Sequence, residues 1–202
     1  MIIVSENIRS ISPYVPGKPI EELEREMGIS NSIKLASNEN PLGPSPKAVA
    51  AIKKAVEGLN RYPDGSGFFL SQALAGKYGV ELSQIILGNG SNELIELVVR
   101  TFVQPGEEII SADPSFVVYK MITQAGGGTN VIVPCKDMRH DLDAMAGRIT
   151  PKTRIVFIAN PNNPTGTMNT RAEMDQFMDR LPDHVIVALD EAYFEYVTHA
   201  DY

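Results

Sequence analysis

Arg154-Ile155-Val156-Phe157-Ile158-Ala159-Asn160-Pro161-Asn162-Asn163-Pro164-Thr165-Gly166 opens as an apolar run rich in β-branched residues and closes in a turn of prolines and asparagines. Further along, His184-Val185-Ile186-Val187-Ala188-Leu189 repeats the pattern and runs into Asp190-Glu191-Ala192-Tyr193. Short continuous apolar runs bounded by polar turns read as parallel strands buried on both faces. The segment between them, Asn169 to about Arg180, has the length and pattern of a crossover helix. Strand, helix and strand in that order make a right-handed unit, which sets Asn163 and Asp190 side by side at the carboxyl edge of one sheet. Ligands bind at that edge in open α/β sheets.

Working outward, strands and helices alternate from Gln84 onward. Ile85-Ile86-Leu87 reads as a strand running into Gly88-Asn89-Gly90-Ser91-Asn92-Glu93 and a helix to about Phe102. Glu108-Ile109-Ile110 and Val131-Ile132-Val133 are the next strands, with a helix from Ser115 to about Gln124 between them. Asp141 is placed to cap a short helix that follows. This alternation predicts an α/β fold with a mostly parallel sheet covered on both faces.

Toward the amino terminus the texture is different. Ser12-Pro13-Tyr14-Val15-Pro16-Gly17-Lys18-Pro19 resists helix and central strand alike, and a short helix from Ile20 to about Met27 follows. Ser45-Pro46 reads as an N-cap with proline at the first helical position, opening a helix to about Leu59. Arg61-Tyr62-Pro63-Asp64-Gly65 is a turn, and Gly67 to Tyr78 reads as a helix closed by Gly79.

Composition narrows the function classes. The chain has 202 residues, 43% of them apolar, which is enough for one substantial core. Its net charge is -7 and Lys53-Lys54 is its one adjacent cationic pair, so nucleic-acid binding is disfavoured. The single cysteine, Cys135, excludes an internal disulfide and fits a reducing compartment; in a strand-like context it reads as a small buried hydrophobe. Met1-Ile2-Ile3-Val4 is too short and too acid-flanked for a signal peptide, and a cytoplasmic location is expected.

Three groups carry candidate chemistry. Gly88-Asn89-Gly90-Ser91-Asn92 joins a strand to a helix; its glycines allow close backbone approach, Ser91 or Asn92 suits the cap, and amides at a helix amino terminus favour phosphate. A tight turn with a helix cap explains it equally well, and it has neither Walker nor dinucleotide spacing. Asp190 ends an apolar strand, where a carboxylate needs a partner: a protonated heteroaromatic nitrogen, an arginine or a helix terminus. Asn163 suits an Asx turn before proline, or, with Tyr193, a ligand's phenolic oxygen.

The Asn160 to Gly166 turn combined with Asp190-Glu191-Ala192-Tyr193 resembles the fold-type I pyridoxal-phosphate aminotransferases. Four further blocks are similar to the histidinol-phosphate aminotransferases within that family: Pro13 to Lys18, Leu35 to Pro46 (Leu35-Ala36-Ser37-Asn38-Glu39-Asn40-Pro41), Arg61 to Gly65, and Gly88 to Glu93. The resemblance covers nearly all of the chain, in order. It implies a three-layer large domain with a mostly parallel sheet over residues 31–202, incomplete at the carboxyl end, and over residues 1–30 an amino-terminal arm and part of a small domain.

The same resemblance assigns residues to pyridoxal 5'-phosphate. Asp190 would pair with the pyridine nitrogen, and Asn163 and Tyr193 would bond the phenolate oxygen. Gly90, Ser91 and Asn92 would hold the phosphate, and Phe116 would stack on the ring. Tyr62 would reach the cofactor phosphate of the neighbouring subunit, implying a homodimer. Tyr14 and Asn38 would border the substrate. The family's Schiff-base lysine is expected after Tyr202, because none of the nine lysines follows Asp190. No residue is assigned to a metal.

The implied reaction is amino transfer between L-histidinol phosphate and 2-oxoglutarate, giving imidazole-acetol phosphate and glutamate in histidine biosynthesis. Aromatic amino-acid aminotransferases and threonine-phosphate decarboxylases share most of these motifs. A non-catalytic binding module of the same shape, and a doubly wound nucleotide-binding domain, are alternatives from other classes.

Overall fold

The computed structural model describes residues 3–202; Met1 and Ile2, half of the apolar opening, lie outside the described residues. Its elements in chain order are α1 (Glu6–Arg9), α2 (Ile20–Met27), α3 (Pro46–Ala55), α4 (Phe68–Tyr78), α5 (Gly90–Phe102), β1 (Glu108–Asp113), α6 (Val118–Ala125), β2 (Thr129–Pro134), α7 (Leu142–Ala146), β3 (Thr153–Ala159), α8 (Arg171–Met178) and β4 (Ile186–Asp190). Two compact units divide them, one of residues 13–85 and one of the preceding arm with residues 86–202.

In the second of these units four strands pair in the order β2-β1-β3-β4, all parallel. Alternation along β3 distributes the core. Ile155, Phe157 and Ala159 join Ile95, Val99, Val103, Ile109 and Tyr119 on one face, under α5 and α6. Val156 and Ile158 join Ile110, Val133, Leu142, Met145 and Phe177 on the other, under α7 and α8. Successive strand residues point to opposite faces, so a strand apolar throughout requires cover on both sides, and the three-layer α/β arrangement supplies it.

Helix starts follow local chemistry. Asp141 Oδ1 accepts from the Ala144 amide at 2.9 Å and opens α7, as its position in the sequence implies. Thr170 Oγ1 accepts from the Glu173 amide while the Glu173 carboxylate takes the Thr170 amide, a reciprocal cap that opens α8. At α5 the expected cap is displaced. Ser91 and Asn92 lie inside the first turn, Asn89 is the cap residue, and Glu93 reaches back to its amide at 2.6 Å.

One expected strand is missing. Ile85-Ile86-Leu87 forms no strand, and Ile86 is largely exposed. A strand exists only through hydrogen bonds to a neighbour, and none of the four described strands pairs with it.

In the unit of residues 13–85, α2 spans the residues expected of it, and Gly79 ends α4 in the left-handed conformation that glycine adopts without a Cβ penalty. Asp64 accepts from the amides of Ser66 and Phe68 and from the Ser66 hydroxyl, which holds its carboxyl below the ordinary value. The α3 helix starts at Pro46 as expected but ends at Ala55 and tightens into a 3-10 turn over Val56–Gly58. Ser45 makes no side-chain cap bond, and proline at the first position already dispenses with one donor. No helix among the described residues is long and apolar enough to cross a membrane.

Candidate functional site

The strand order places β1 and β3 side by side while their crossovers run to opposite sides, a switch point whose carboxyl end is where ligands bind in open α/β sheets. Three strand ends meet there. The β1 strand ends at Asp113 and continues through Pro114-Ser115-Phe116; β3 ends at Ala159 and continues into the asparagine turn; β4 ends at Asp190. Ala159 and Asp190 are in register, and the Asn160 amide donates to the Asp190 carbonyl at 2.9 Å, so the turn and the aspartate leave the sheet together.

The turn is held by its own amides. Asn160 Nδ2 donates to the Asn169 carbonyl and Asn160 Oδ1 accepts the Asn169 amide, at 3.0 and 2.8 Å. The Asn162 backbone exchanges bonds with Thr167 and Gly166, the latter at φ +69°, where glycine is the unstrained choice. Asn160 and Asn162 are buried, the side-chain amide of Asn162 reaching Pro114 and Ser115 as well as Thr165, and Asn163 lines a cavity of about 80 Å³. Ser91, Phe116, Asp190, Ala192 and Tyr193 line the same cavity, with Tyr119 at its base.

Asp190 is held by neutral donors. Tyr119 Oη donates to its Oδ2 at 2.6 Å and the Ala192 amide to its Oδ1 at 3.1 Å. It takes part in none of the described ion pairs, so the arginine partner left open by residue type is not what engages it. Burial, and then the neighbouring carboxylate, drive the Tyr119 phenol above its ordinary value, so it donates as a neutral hydroxyl. The Tyr119 ring lies flat against Phe157 at 4.6 Å, and Phe116 meets it edge-on at 5.6 Å.

Of the residues singled out from sequence, Ser91, Phe116, Asn163, Asp190 and Tyr193 converge on this cavity. Gly90 and Asn92 flank Ser91 in the first turn of α5. Tyr14, Asn38 and Tyr62 belong to the unit of residues 13–85, where Tyr14 and Tyr62 are exposed and Asn38 has a positive φ. Tyr119 was not foreseen. It stands in the first turn of α6, just past Phe116, and its bond to Asp190 joins segments 71 residues apart, for which the sequence carries no local signal.

Cys135 is half-buried just beyond β2, its Sγ 3.4 Å from the Pro114 carbonyl. Burial and the Asp113 carboxylate push its thiol up, which suits a filler of space rather than a nucleophile. A larger groove, about 320 Å³, is lined by Arg139, Glu173, Asp143 and Arg180. Its two arginines are already paired with those two carboxylates.

The donor set of the smaller cavity has a definite chemistry: a carboxylate to take a cationic N–H, an amide and a phenol to meet an anionic oxygen, an aromatic face, and a hydroxyl at a helix amino terminus for an anion. Fold and site together define a class. The chain belongs to the class I and II aminotransferases, whose family model, described as "Aminotransferase class I and II", matches residues 30–201.

Within that class the chain is 52% identical over 197 residues to the histidinol-phosphate aminotransferase of Moorella thermoacetica, covering 98% of this chain and 51% of that protein. It is 53% identical over 194 residues to the enzyme of the same name from Desulfotalea psychrophila, covering 96% and 51%. Its fold superposes with a TM-score of 0.87 on the histidinol-phosphate aminotransferase from Sinorhizobium meliloti crystallised with pyridoxal-5'-phosphate, at 29% identity, covering 98% of this chain and 53% of that one. The chain spans about half the length of the curated relatives it matches.

Proposed function

We propose that these residues contribute the cofactor-orienting half of a pyridoxal-phosphate transaminase that exchanges an amino group between L-histidinol phosphate and 2-oxoglutarate. One observation carries the reading. Asp190, with neutral donors and no described ion pair, shares a cavity with Asn163, Tyr193 and Phe116 at the carboxyl ends of β1, β3 and β4.

That donor set fits the cofactor. Asp190 would bind the pyridine nitrogen and keep it protonated, while Tyr119 and the Ala192 amide hold the carboxylate in place. Asn163 and Tyr193 would donate to the phenolate oxygen, and Phe116 would flank the ring. Ser91, with Gly90 and Asn92 at the start of α5, would take the phosphate; Glu93 already occupies the preceding Asn89 amide, which leaves that role to the amides further into the turn. When bound, the cofactor supplies a sink for the electron pair left as the substrate's α-proton departs.

In the same reading Tyr62 reaches the cofactor phosphate of a second copy in a homodimer, and its full exposure here is compatible with that reach. Tyr14 and Asn38 border the substrate. The single unpaired cysteine suits the cytoplasm.

The test is a transaminase assay on the full-length protein with pyridoxal phosphate, 2-oxoglutarate and, in parallel, L-histidinol phosphate, phenylalanine and O-phosphothreonine. Turnover of histidinol phosphate with glutamate released supports the proposal. Preference for phenylalanine, or decarboxylation of phosphothreonine, reassigns the substrate; failure to bind pyridoxal phosphate removes the enzyme reading in favour of a binding module.

A further inference from the structure

Behind the cavity, a buried histidine joins the two loops that supply its walls. Asn162 Nδ2 lies 3.0 Å from the Pro114 carbonyl oxygen, which can only accept, and 2.8 Å from Thr165 Oγ1. Its Oδ1 therefore faces Ser115 Oγ at 3.0 Å and His140 Nε2 at 3.1 Å. An amide oxygen has no proton to give, so the hydroxyl donates and His140 carries its hydrogen on Nε2. Its Nδ1 is then a bare lone pair, buried and without a hydrogen-bond partner among the described residues.

Space-filling alone does not account for such a group. His140 is 3% exposed, and an apolar ring of similar size would occupy the place without desolvating an unused acceptor. What the imidazole has that a phenyl ring lacks is the Nε2 proton. We infer that His140 is a positioning residue: by fixing Asn162, it ties the β1 loop that carries Phe116 to the β3 loop that carries Asn163.

Three chain segments meet at this point. Ser115 immediately precedes Phe116, and Asn162 immediately precedes Asn163. His140 leads into α7, and its own carbonyl accepts from Asn169 Nδ2 at 3.1 Å, so its backbone is tied to the residue that also bonds Asn160. Burial lowers the proton affinity of the imidazole, against the opposing pull of the Asn162 bond, which is consistent with a neutral ring holding one proton. The inference rests on the cofactor reading of the cavity and adds to it the device that sets the spacing of the aromatic wall and the amide.

The experiment is a titration of pyridoxal phosphate into the full-length apo-protein, followed by the visible circular dichroism of the bound cofactor and by the thermal midpoint. His140→Gln keeps an N–H donor near the Nε2 position, and His140→Phe keeps the bulk alone. Expected are affinity and dichroism within about twofold of wild type for the glutamine variant, and roughly tenfold weaker binding with altered dichroism for the phenylalanine variant, the scale of one buried hydrogen bond. Ser115→Ala removes the other donor to Asn162 and is expected to weaken binding by about fivefold, so the inference stays testable should His140→Phe not fold.

Wild-type affinity and dichroism in His140→Phe, or in Ser115→Ala when His140→Phe cannot be purified, overturns it. So does equal loss in the glutamine and phenylalanine variants, which reduces His140 to packing. A wild-type protein that binds no pyridoxal phosphate defeats the cofactor reading itself, whereas binding that ignores these substitutions defeats only the positioning role.

Discussion

The Tyr119 hydroxyl donates to Asp190 across 71 residues of sequence, at 2.6 Å, while its ring lies parallel to Phe157 at an interplanar angle of 4°. One side chain thus joins the core of the sheet to the carboxylate at its edge. Tyr119→Phe removes the hydroxyl and keeps the stack. Hydrogen bonds to charged groups contribute about 1.5–3 kcal/mol, and water can partly replace this donor, so the loss in unfolding free energy should be about 1–2 kcal/mol at neutral pH. Urea unfolding of the full-length protein measures it; a change near zero would show that the bond contributes nothing net.

The same contact has an alkaline signature. The folded phenol titrates above its ordinary value of 10.0, through burial first and the Asp190 charge second. A raised value means that the stabilisation is fully present below pH 10.0 and is lost as pH rises above it, because the unfolded tyrosine ionises while the folded one resists. The stability difference between wild type and Tyr119→Phe should therefore shrink steadily above that pH. A difference that stays constant to high pH would contradict the assignment.

Much of this was legible in the sequence because local pattern and strand ends carry it. Apolar runs closed by polar turns mark β1 to β4, and the strand-helix-strand order sets Asn163 and Asp190 side by side at the carboxyl edge of the sheet, with Tyr193 three residues further on. Illegible were relations made only by packing. The bonds from Tyr119 to Asp190 and from His140 to Asn162 join distant segments and leave no periodic trace. Ile85-Ile86-Leu87 has the composition of a strand, but a strand is a property of a pair, and composition does not specify the neighbour. At α5 the local rule itself misled: Ser91 is a good cap by residue type, yet Glu93 reaching back to Asn89 shifts the helix start.

Phe157 tests the sheet face beneath α5 and α6. It is 1% exposed and stacked on Tyr119, so truncation both opens a cavity and removes support from the ring that holds Asp190. Phe157→Ala should cost about 3–5 kcal/mol by urea unfolding. A cost below that of Tyr119→Phe would mean that the core closes over the gap.

At the start of α8, Thr170→Ala removes the side chain that caps Glu173 and should cost about 1 kcal/mol, with serine restoring most of it. Burial raises the Glu173 carboxyl, but the Thr170 amide and Arg139 outweigh it and hold the group below its ordinary value of 4.5. A lowered value means stability present above pH 4.5 and lost as pH falls through the folded value, so Glu173→Gln should differ from wild type at neutral pH and converge on it in acid. Parallel stability curves down to low pH would contradict this.

Asp190→Asn isolates charge from shape. The amide oxygen can still accept from Tyr119 or from Ala192, so the fold should persist, with a thermal midpoint within about 2 °C of wild type. The negative charge is gone, and in the proposed function that charge keeps the cofactor's ring nitrogen protonated. Removing one partner of a largely desolvated charge pair costs about 2–5 kcal/mol, which corresponds to roughly 30-fold or greater weakening of pyridoxal-phosphate binding. Asp190→Glu keeps the charge but lengthens the side chain beyond the Tyr119 contact, and it should fall between the two. If the asparagine variant binds the cofactor as wild type does and turns substrate over at the same rate, Asp190 has no electrostatic task, and its bonds to Tyr119 and Ala192 serve only the end of β4.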